Sequence, residues 1–355
     1  MFTALLTSKN ILVAPLNWGL GHSTRCIPII KKLIEYGFNP VLASDGEALA
    51  LLKKEFPDLT AIKLPPYHIK YTRSGKLLKW KIAFSLPKIL QTVKAEKKLT
   101  QKIIEDYKIR GIISDNRFGI ISKKVPSVFI THQLNVLSGS TTYLTGIFHR
   151  RLIKKFNECW VPDTPTKPNF SGKLGHLNNQ TLQVKYLGAL SRFEKKDEEQ
   201  IYDLAVILSG PEPQRTLFES IITEQLSEYK GKVIFVKGKI EPEKKSETIN
   251  NITFHNFLNS SELEKVLNQS KTVLCRSGYT SIMDLAKLQK RAFFVPTPGQ
   301  PEQEYLAQKL KKESIAPCCS QEKFKISMLD KIPLYRGFQS LSFEPDWKKL
   351  FEIFN

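Results

Sequence analysis

Residues 275–284 have the sequence CRSGYTSIMD, and residues 296–305 have the sequence PTPGQPEQEY. The pattern predicts, in order, a strand, a glycine turn, a helix, a strand, a polar loop and another helix. Carboxylate and amide side chains stand near the starts of both helices, where a ligand bound at the end of a sheet would lie. The layout suits a ligand that carries phosphate at one end and hydroxyl groups along its length.

The same alternation of short apolar runs and helical patterns extends over the rest of the chain. Strands are predicted at 11–16, 40–44, 60–64, 111–114, 127–131, 158–161, 184–187, 204–208, 232–236, 252–254, 271–275 and 292–295. Helices are predicted at 27–36, 47–55, 89–107, 215–227, 261–267, 280–288, 302–312 and 346–354. Such alternation predicts an α/β fold with two doubly wound, Rossmann-like domains that face each other across a cleft.

A length of 355 residues is sufficient for two hydrophobic cores. The charged stretch 192–200 has little apolar periodicity and indicates a linker at 191–203. We therefore predict an N-terminal domain at 1–190 and a C-terminal domain at 204–340. Residues 341–355 are expected to form a final helix that packs back on the first domain.

The composition is that of a soluble globular protein, with 41% hydrophobic and 25% charged residues. The apolar runs are too short for a membrane span, and the N-terminus lacks the pattern of a signal peptide, so a cytoplasmic location is expected. The five cysteines are odd in number and show no Cys-x-x-Cys spacing, which argues against a disulfide framework and a metal site.

The net charge of +20 is concentrated in the first half of the chain. Residues 1–190 hold 29 Lys and Arg against 11 Asp and Glu, whereas residues 191–355 hold 25 against 23. The stretch 70–102 carries ten Lys and Arg against Glu96 alone, interleaved with Trp80 and Phe84. It predicts either a solvated helix pair with snorkelling lysines or a surface that docks on anionic lipid. No nucleic-acid-binding signature is present, so no nucleic acid partner is expected.

The loop after the first strand contains Gly19, Gly21 and His22, followed by Ser23 and Thr24 as candidate caps of a helix. The free N–H groups of a helix N-terminus attract anions. The positive end of the helix should lower the pKa of His22 and keep it neutral, and therefore able to accept a proton. The alternative is that His22 only caps the helix.

Two turns in the second half offer further helix N-termini to an anion. The first contains Gly210, Gln214 and Arg215, and the second contains Arg276, Ser277 and Gly278. The alternative for the first turn is a purely structural, proline-rich connection between strand and helix.

Three polar side chains on the two helices introduced above are candidates for contacts with sugar hydroxyls. The Asp284 carboxylate can accept hydrogen bonds from both hydroxyls of a ribose, or it can be a dipole-favourable acid on a solvated helix face. Glu302 and Gln303 begin the next helix, where acceptor and amide groups are available to a sugar.

Together these motifs resemble the nucleotide-sugar glycosyltransferases of the two-Rossmann (GT-B) type. The most similar branch contains the peptidoglycan N-acetylglucosaminyltransferase, which acts on a polyprenyl-diphosphate acceptor. The motifs follow the same order over nearly the whole chain. The resemblance implies a nucleotide-sugar donor, with UDP favoured by analogy. It also implies that the domain at 1–190 binds the acceptor and that the domain at 204–340 binds the donor.

The resemblance also implies roles for individual residues. His22 matches a histidine near the reaction centre, and Arg192 matches an arginine that approaches the diphosphate. Acceptor contacts are implied for Gly19, Gly21, His132, Gln133 and Asn135. Donor contacts are implied for Arg192, Gly210, Gln214, Arg215, Phe257, Leu258, Arg276, Ser277, Gly278, Asp284, Glu302 and Gln303. The family's glycine-rich turn is replaced here by Ser-Gly-Pro-Glu-Pro at 209–213, and the family's acceptor-side glutamate is Gln133.

The predicted reaction is metal-independent glycosyl transfer with inversion, and no cofactor is expected apart from the donor itself. Preorganised helix N-termini and arginines would stabilise the departing nucleoside diphosphate. His22 would take the proton of the acceptor hydroxyl, and Asp115 would orient His22 or replace it. The alternatives are a nucleotide-sugar hydrolase of the same fold and a non-catalytic module that binds sugar or lipid. The acceptor is not identified. If the basic first half docks on anionic lipid rather than forming a solvated surface, the protein would contact the inner face of a membrane.

Overall fold

The computed structural model describes residues 9–67, 75–136, 142–177, 182–239, 241, 243–338 and 343–355, with the side chains of 75–87 and 142–145 left out. The first half forms seven strands within these residues. They are β1 (Asn10–Pro15), β2 (Asn39–Ser44), β3 (Ala61–Lys63), β4 (Ile109–Asp115), β5 (Ser127–Ile130), β6 (Glu158–Val161) and β7 (Val184–Tyr186).

These strands form one parallel sheet in the order β3-β2-β1-β4-β5-β6-β7. The central strands are apolar runs because both of their faces are covered, as in β1, where Ile11 to Pro15 are all buried. The chain leaves β1 toward β2 on one side and later returns to β4 on the other side. This change of direction opens a crevice at the carboxyl ends of β1 and β4, where Pro15 pairs with Asp115.

The second half forms six strands within the described residues. They are β8 (Tyr202–Ile207), β9 (Val233–Val236), β10 (Ser246–Ile249), β11 (Ile252–His255), β12 (Ser270–Cys275) and β13 (Arg291–Phe294). Their order is β10-β11-β9-β8-β12-β13, and all pairs are parallel except β10 with β11. Strand β10 was not predicted, because all four of its residues are exposed and it therefore has no apolar pattern. The prediction of an α/β fold with two doubly wound sheets is confirmed.

Nine helices are assigned in the described ranges. They are α1 (Gly21–Glu35), α2 (Gly46–Glu55), α3 (Gly75–Asp106), α4 (Thr142–Ile153), α5 (Gln214–Gln225), α6 (Ser260–Asn268), α7 (Tyr279–Lys287), α8 (Pro301–Lys312) and α9 (Trp347–Phe351).

The predicted start of α1 was six residues too late. Helix α1 begins at Gly21. Pro28 therefore lies in the interior of the helix and not in its first turn, where the predicted start at residue 27 would place it. Ser23 and Thr24 do not cap this helix, because their hydroxyls donate to the carbonyls of Leu20 and Gly21, at 2.9 and 3.1 Å. Helix α4 was not predicted.

The basic stretch 70–102 falls largely on α3, a single helix of 32 residues rather than a helix pair. Trp80 and Phe84 lie outside the residues whose side chains are described, and residues 68–74 lie outside the described chain. None of the helices in the described ranges is both long enough and apolar enough to cross a membrane.

A buried ion network connects α3 to the first sheet. Arg117 is fully buried and donates to Glu96 of α3 at 2.6 Å and to Asp45, which precedes α2, at 2.7 Å. Glu96 also accepts a hydrogen bond from Tyr67 at 2.6 Å. Because both carboxylates depend on a single guanidinium, Arg117 fixes the position of α3 beside the carboxyl end of the sheet.

The two halves of the chain share a continuous apolar core. One cluster of buried side chains extends from Ile11 and Ile30 in the first half to Met283 and Leu306 in the second. The segment 191–203, predicted to be a linker, is packed rather than free at its start, since Phe193 is 1% exposed. The relative position of the two sheets is therefore set by packing as well as by the connecting chain.

The final helix returns to the first sheet. Phe351 and Phe354 contact Phe38 edge-to-face, with centroid distances of 5.9 and 6.3 Å, and both rings also lie near Trp160. Phe354 packs directly over Gly111 of β4, where an added Cβ would lie 2.2 Å from the phenylalanine ring.

Replacement of Gly111 with alanine is expected to lower the free energy of unfolding by about 1–3 kcal/mol, because the new methyl group must push Phe354 away from the sheet. Urea denaturation measures the change. The double variant Gly111→Ala with Phe354→Leu should recover part of the loss, because the smaller side chain leaves room for the methyl group. An unchanged midpoint in Gly111→Ala would show that the final helix does not depend on this contact.

Candidate functional site

The carboxyl ends of β1 and β4 bring together His22 and Asp115, which are 93 residues apart in sequence. His22 is the second residue of α1, and its Nδ1 lies 2.8 Å from Oδ1 of Asp115, the last residue of β4. Asp115 is completely buried. The structure thus places the two predicted catalytic residues in direct contact.

Arg25, which sequence reasoning missed, connects this pair to the rest of the site. Its guanidinium forms a bidentate pair with the Asp115 carboxylate, with Nε 2.5 Å from Oδ2 and Nη2 close to Oδ1. Nη1 lies 3.1 Å from Nδ1 of His132. Burial by itself would raise the pKa of Asp115, but Arg25 and His22 outweigh it and lower this pKa to about 2. Asp115 is therefore ionised throughout the neutral range.

Nδ1 of His22 lies 2.8 Å from the Asp115 carboxylate and also 2.8 Å from Nη2 of Arg25. A carboxylate can only accept a hydrogen bond, so in the tautomer that donates to Asp115 the proton stands on Nδ1 and Nε2 keeps its lone pair. The pKa of His22 is lowered, chiefly because burial penalises the charged ring, although Asp115 opposes the shift. The predicted direction agrees, but burial rather than the helix dipole is the main cause. In this tautomer, and above its lowered pKa, neutral His22 offers Nε2 as a base.

The second half of the chain approaches this group through Glu302 of α8. Its carboxylate accepts from Nε2 of His132 at 2.8 Å and from Nε2 of Gln133 at 2.5 Å. Burial would raise the pKa of Glu302, but His132 and Arg25 outweigh it and lower the pKa. The His132 ring stacks on Tyr279 of α7 at 4.1 Å. Glu302, predicted to contact the donor, thus contacts two residues predicted to contact the acceptor.

The N-termini of α1 and α7 lie next to each other. An added Cβ at Gly21 would lie 2.6 Å from Oγ1 of Thr280, so only glycine permits this approach. Neither helix has a side-chain cap at its first turn. In the described part of the chain, the first N–H groups of both helices therefore lack a side-chain partner and stand in one region, which favours an anion. Gly19, in the loop before α1, has a φ of +73°.

Thr297 is a candidate donor contact that sequence reasoning missed. It is 2% exposed, and its Oγ1 has no hydrogen-bond partner among the described residues. Its Oγ1 lies 3.7 Å from the position that a Cβ on Gly210 would occupy. A buried hydroxyl without a partner costs free energy unless a ligand forms a hydrogen bond with it.

Gly278 directly precedes α7. Ser277 is buried, and its hydroxyl donates to the carbonyl of Gln303 at 2.8 Å.

Arg276, predicted to contact the donor, is bound mainly by groups of the protein itself. Its guanidinium is buried and stacks over the Phe218 ring at 4.2 Å. It donates to protein oxygens of Val295, Pro296, Gln214 and Gln321, at 2.6–3.2 Å. The guanidinium of Arg276 therefore holds neighbouring loops together, while its buried Nε has no hydrogen-bond partner among the described residues.

Arg215 is likewise occupied by its own domain. It pairs with Glu212 and with Glu219, the latter at 3.0 Å, and donates to the Lys237 carbonyl at 3.0 Å. Glu212 also accepts from the backbone N–H of Thr216 at 3.2 Å. A carboxylate thus already occupies the N-terminus of α5, where the prediction placed an anionic ligand. The replacement of the family's glycine-rich turn by Ser-Gly-Pro-Glu-Pro thus places a carboxylate of the protein at this helix N-terminus.

Gln214 begins α5, and its backbone carbonyl accepts a hydrogen bond from Arg276.

Asp284 and Arg192 lie together beside the connection between the halves. The Asp284 carboxylate accepts from Oγ of Ser191 at 2.6 Å, and burial raises its pKa to about 6 despite that bond and the nearby Arg192. The guanidinium of Arg192 lies over the Phe193 ring at 4.9 Å, and its buried Nε has no partner among the described residues. Both groups retain unused hydrogen-bonding capacity.

The remaining predicted residues are used mainly within the protein. The Gln303 side chain bonds the Thr297 N–H at 2.9 Å and Gln300 at 2.8 Å, which closes the loop before α8. The Phe257 N–H donates to the Asn256 side chain at 3.0 Å, and Leu258 packs against the shared core. Asn135 accepts from Arg150 at 2.8 Å. In the described part of the chain, no three His, Cys, Asp or Glu side chains are grouped closely enough to hold a metal ion.

Comparison with known proteins agrees with this geometry. Residues 205–333 match the glycosyltransferase family 28 C-terminal domain. Proteins from Methanosarcina mazei and Methanosarcina acetivorans, each named an uncharacterized glycosyltransferase, are 22% identical over 326 and 318 residues, covering 83% of this chain and 81% of theirs.

Solved structures share the fold at low sequence identity. The spinosyn rhamnosyltransferase SpnG, complexed with thymidine diphosphate, has a TM-score of 0.62 and 13% identity, covering 97% of this chain and 96% of its own. The Acinetobacter baumannii MurG has a TM-score of 0.53 and 12% identity, covering 97% and 92%. The prediction of a glycosyltransferase with a GT-B fold is confirmed.

Proposed function

We propose that this glycosyltransferase transfers a sugar, with inversion and without a metal ion, from a UDP-sugar to the hydroxyl of an acceptor. One observation carries the proposal: the unpaired N-termini of α1 and α7 converge at Gly21 and Thr280, directly beside the His22–Asp115 pair. An anionic leaving group and a proton acceptor are the two requirements of glycosyl transfer from a nucleotide sugar. Both are provided in one region of the cleft.

The proton would move to Nε2 of His22. Asp115 holds the ring through Nδ1 and stabilises the imidazolium that forms, while Arg25 keeps Asp115 ionised. The acceptor oxygen would attack the anomeric carbon from the side opposite the diphosphate, so that the configuration inverts. The N–H groups of α7 would receive the charge that develops on the leaving diphosphate.

The donor would lie along the carboxyl edge of the second sheet. Thr297 would bond a phosphate oxygen, Arg192 would pair with the diphosphate, and ionised Asp284 would accept from the ribose hydroxyls. The buried groups without partners at Thr297 and Arg192 support this placement. Thymidine diphosphate in the SpnG complex supports a nucleoside diphosphate as leaving group. The choice of UDP rests on the sequence resemblance.

A thermal-shift panel of nucleotides and nucleotide sugars tests the donor. A ligand at 100 times its dissociation constant should add about 2.7 kcal/mol of stability. UDP and a UDP-sugar are expected to raise the melting temperature, whereas AMP should not. If no nucleotide sugar and no nucleoside diphosphate binds, the proposed function is wrong.

Replacement of Thr297 with valine should weaken UDP binding about tenfold or more, because a hydrogen bond to a charged phosphate is lost. The stability of the protein without nucleotide should be unchanged or slightly higher, because the hydroxyl has no partner there. Isothermal calorimetry and urea denaturation measure the two quantities. Thr223→Val is the matched control, since its hydroxyl donates to Glu219 on an exposed helix face. Equal UDP affinities in both variants would remove Thr297 from the donor site.

Product analysis separates transfer from hydrolysis. An enzyme that uses an acceptor should break down the UDP-sugar slowly without one, whereas a hydrolase should turn it over at its full rate with water. Full activity in EDTA is the result expected of a metal-independent enzyme.

Docking of the basic stretch 70–102 on anionic lipid stays a prediction, and vesicle sedimentation with and without anionic lipid tests it.

A further inference from the structure

Two groups of opposite character compete for Nδ1 of His22. Oδ1 of Asp115 and Nη2 of Arg25 each lie 2.8 Å from this nitrogen. A bond to the carboxylate requires the ring proton on Nδ1, whereas a bond from the guanidinium requires it on Nε2, because an arginine can only donate. Only the first arrangement leaves Nε2 free to accept a proton. The orientation of Arg25 therefore decides whether neutral His22 can act as a base.

The guanidinium of Arg25 is held by bonds from three of its nitrogens. Nε lies 2.5 Å from Oδ2 of Asp115, Nη2 is close to Oδ1, and Nη1 lies 3.1 Å from Nδ1 of His132. Arg25 is buried, and its rigid, planar group cannot turn toward His22 without giving up one of these bonds. The bond from Nη1 to His132 thus opposes the rotation that would deprive His22 of its function as a base.

His132 is the point at which the second half of the chain reaches Arg25. Because Arg25 can only donate, Nδ1 of neutral His132 accepts, and its proton stands on Nε2, which donates to Glu302 of α8 at 2.8 Å. The His132 ring also stacks on Tyr279 of α7 at 4.1 Å, and the Tyr279 hydroxyl donates to the Pro162 carbonyl at 2.6 Å. Two helices of the second half therefore fix the position of this ring.

Glu302 is the open end of this chain of hydrogen bonds. Its side chain is 33% exposed, whereas Asp115 at the other end is completely buried. The two oxygens of Glu302 accept from His132 and Gln133, which both belong to the first half. The sequence predicted a contact between Glu302 and the donor. In the folded chain its bonds connect α8 to the residues that surround the base.

We propose that Arg25, His132 and Glu302 are positioning residues that set the tautomer of His22. Glu302 holds His132, His132 holds Arg25 against Asp115, and Asp115 then takes the ring proton of His22. The base is complete only when α8 is in contact with the first half, so it forms together with the donor loop that precedes α8. The proposal rests on the proposed function, since it concerns the base of that reaction.

The test observes the ring nitrogens of His22 directly. Protein labelled with ¹⁵N-histidine is studied by NMR at pH 8, where His22 is neutral because burial lowers its pKa. The ring ¹⁵N chemical shifts distinguish the two tautomers, and spectra of His22→Gln and His132→Phe assign the signals among those of the six histidines. The wild type is expected to carry the proton on Nδ1 of His22 and on Nε2 of His132. A wild-type His22 with its proton on Nε2 would overturn the proposal.

Two variants of Glu302 with the same loss of charge separate the hydrogen bond from the charge. Glu302→Ala removes both and should move part of the His22 population to the tautomer with the proton on Nε2. Glu302→Gln retains an amide oxygen that can accept from His132, so it should keep the wild-type tautomer. The control is Glu304→Ala, which removes an exposed carboxylate from the same turn of α8 and should have no effect.

Three results of this comparison would contradict the proposal. An unchanged His22 spectrum in Glu302→Ala would show that no link exists. Equal changes in Glu302→Ala and Glu302→Gln would assign the effect to charge rather than to the hydrogen bond. Equal changes in Glu302→Ala and Glu304→Ala would assign it to a general disturbance of α8.

Kinetics provide a second measurement. The rate of UDP release is measured with water as the acceptor, from the UDP-sugar that the thermal-shift panel selects. His132→Phe retains an aromatic ring to stack on Tyr279 but cannot bond Arg25 or Glu302, and its kcat should fall about tenfold or more with UDP affinity unchanged. The double variant with Glu302→Ala should be no slower than the slower single variant, because both changes interrupt one chain. Additive losses would contradict the link.

Failure of this proposal can be distinguished from failure of the proposed function. Wild-type turnover in His22→Ala, or absence of nucleotide binding, contradicts the proposed function. Normal nucleotide binding with wild-type kcat in His132→Phe contradicts only the link through Arg25. Urea denaturation establishes that each variant is folded, and the partly exposed Glu302 provides the test should the buried His132→Phe variant not fold.

Discussion

Replacement of His22 with alanine is expected to lower turnover by a factor of about 100 or more, because the general base that accepts the acceptor proton is removed. Donor affinity should be unchanged, since the proposed donor contacts lie in the second half of the chain. Steady-state kinetics and UDP calorimetry measure the two quantities. Unchanged turnover would remove His22 from the mechanism.

The pH profile separates a base from a merely structural histidine. Because burial lowers the pKa of His22, the neutral form persists below pH 6.5, and kcat should decline only at a lower pH. This acid limb should be absent in His22→Ala and also in His22→Gln, which keeps a hydrogen bond to Asp115 but cannot act as a base. A His22→Gln variant with wild-type turnover and an unchanged limb would show that the ring only positions Asp115.

Replacement of Arg117 with methionine is expected to lower the free energy of unfolding by about 3–5 kcal/mol, because removal of one partner leaves buried carboxylates without compensation. Glu96 and Asp45 both depend on this guanidinium. Burial raises the pKa of Glu96 already in the wild type, and Arg117 counteracts the shift. Without Arg117 the folded protein should hold this proton to a higher pH, so the loss of stability should be larger at pH 8 than at pH 5.

The matched control is Lys124→Met, which breaks the exposed pair with Glu105 at 2.9 Å. It should cost no more than about 1 kcal/mol. Urea denaturation at both pH values measures the two variants side by side. Equal effects in both variants would show that the Arg117 network contributes no more than a surface ion pair.

Most strands of both sheets could be predicted because parallel strands that are covered on both faces appear in the sequence as continuous apolar runs, as in β1 and β9. Strand β10 could not, because its exposed residues carry no such pattern. The start of α1 was missed for a different reason. His22 and Arg25 are polar because they bond Asp115, and not because they face solvent. Together with Pro28 they interrupt the apolar pattern by which the start of a helix is recognised.

The sequence motifs located the loops of the site but not what each side chain does there. Arg276 was chosen for its charge, yet its partner Gln321 is set by tertiary packing that local sequence does not encode. Arg215 pairs instead with Glu219, four residues later on the same helix, a spacing that the sequence does contain. Arg25 was missed because its partner Asp115 is 90 residues away. Thr297 carries no distinguishing sequence signal, since it is singled out only by a buried hydroxyl that has no partner among the described residues.

The return of the final helix to the first sheet has a consequence for biosynthesis. Phe351 and Phe354 fill space beside Phe38 and Trp160, although the ribosome makes them after the whole second sheet. During translation the N-terminal half therefore leaves the exit tunnel with an open apolar groove over Gly111. Its folding can finish only when residues 347–354 emerge, and until then the nascent chain exposes an apolar surface that is prone to aggregation.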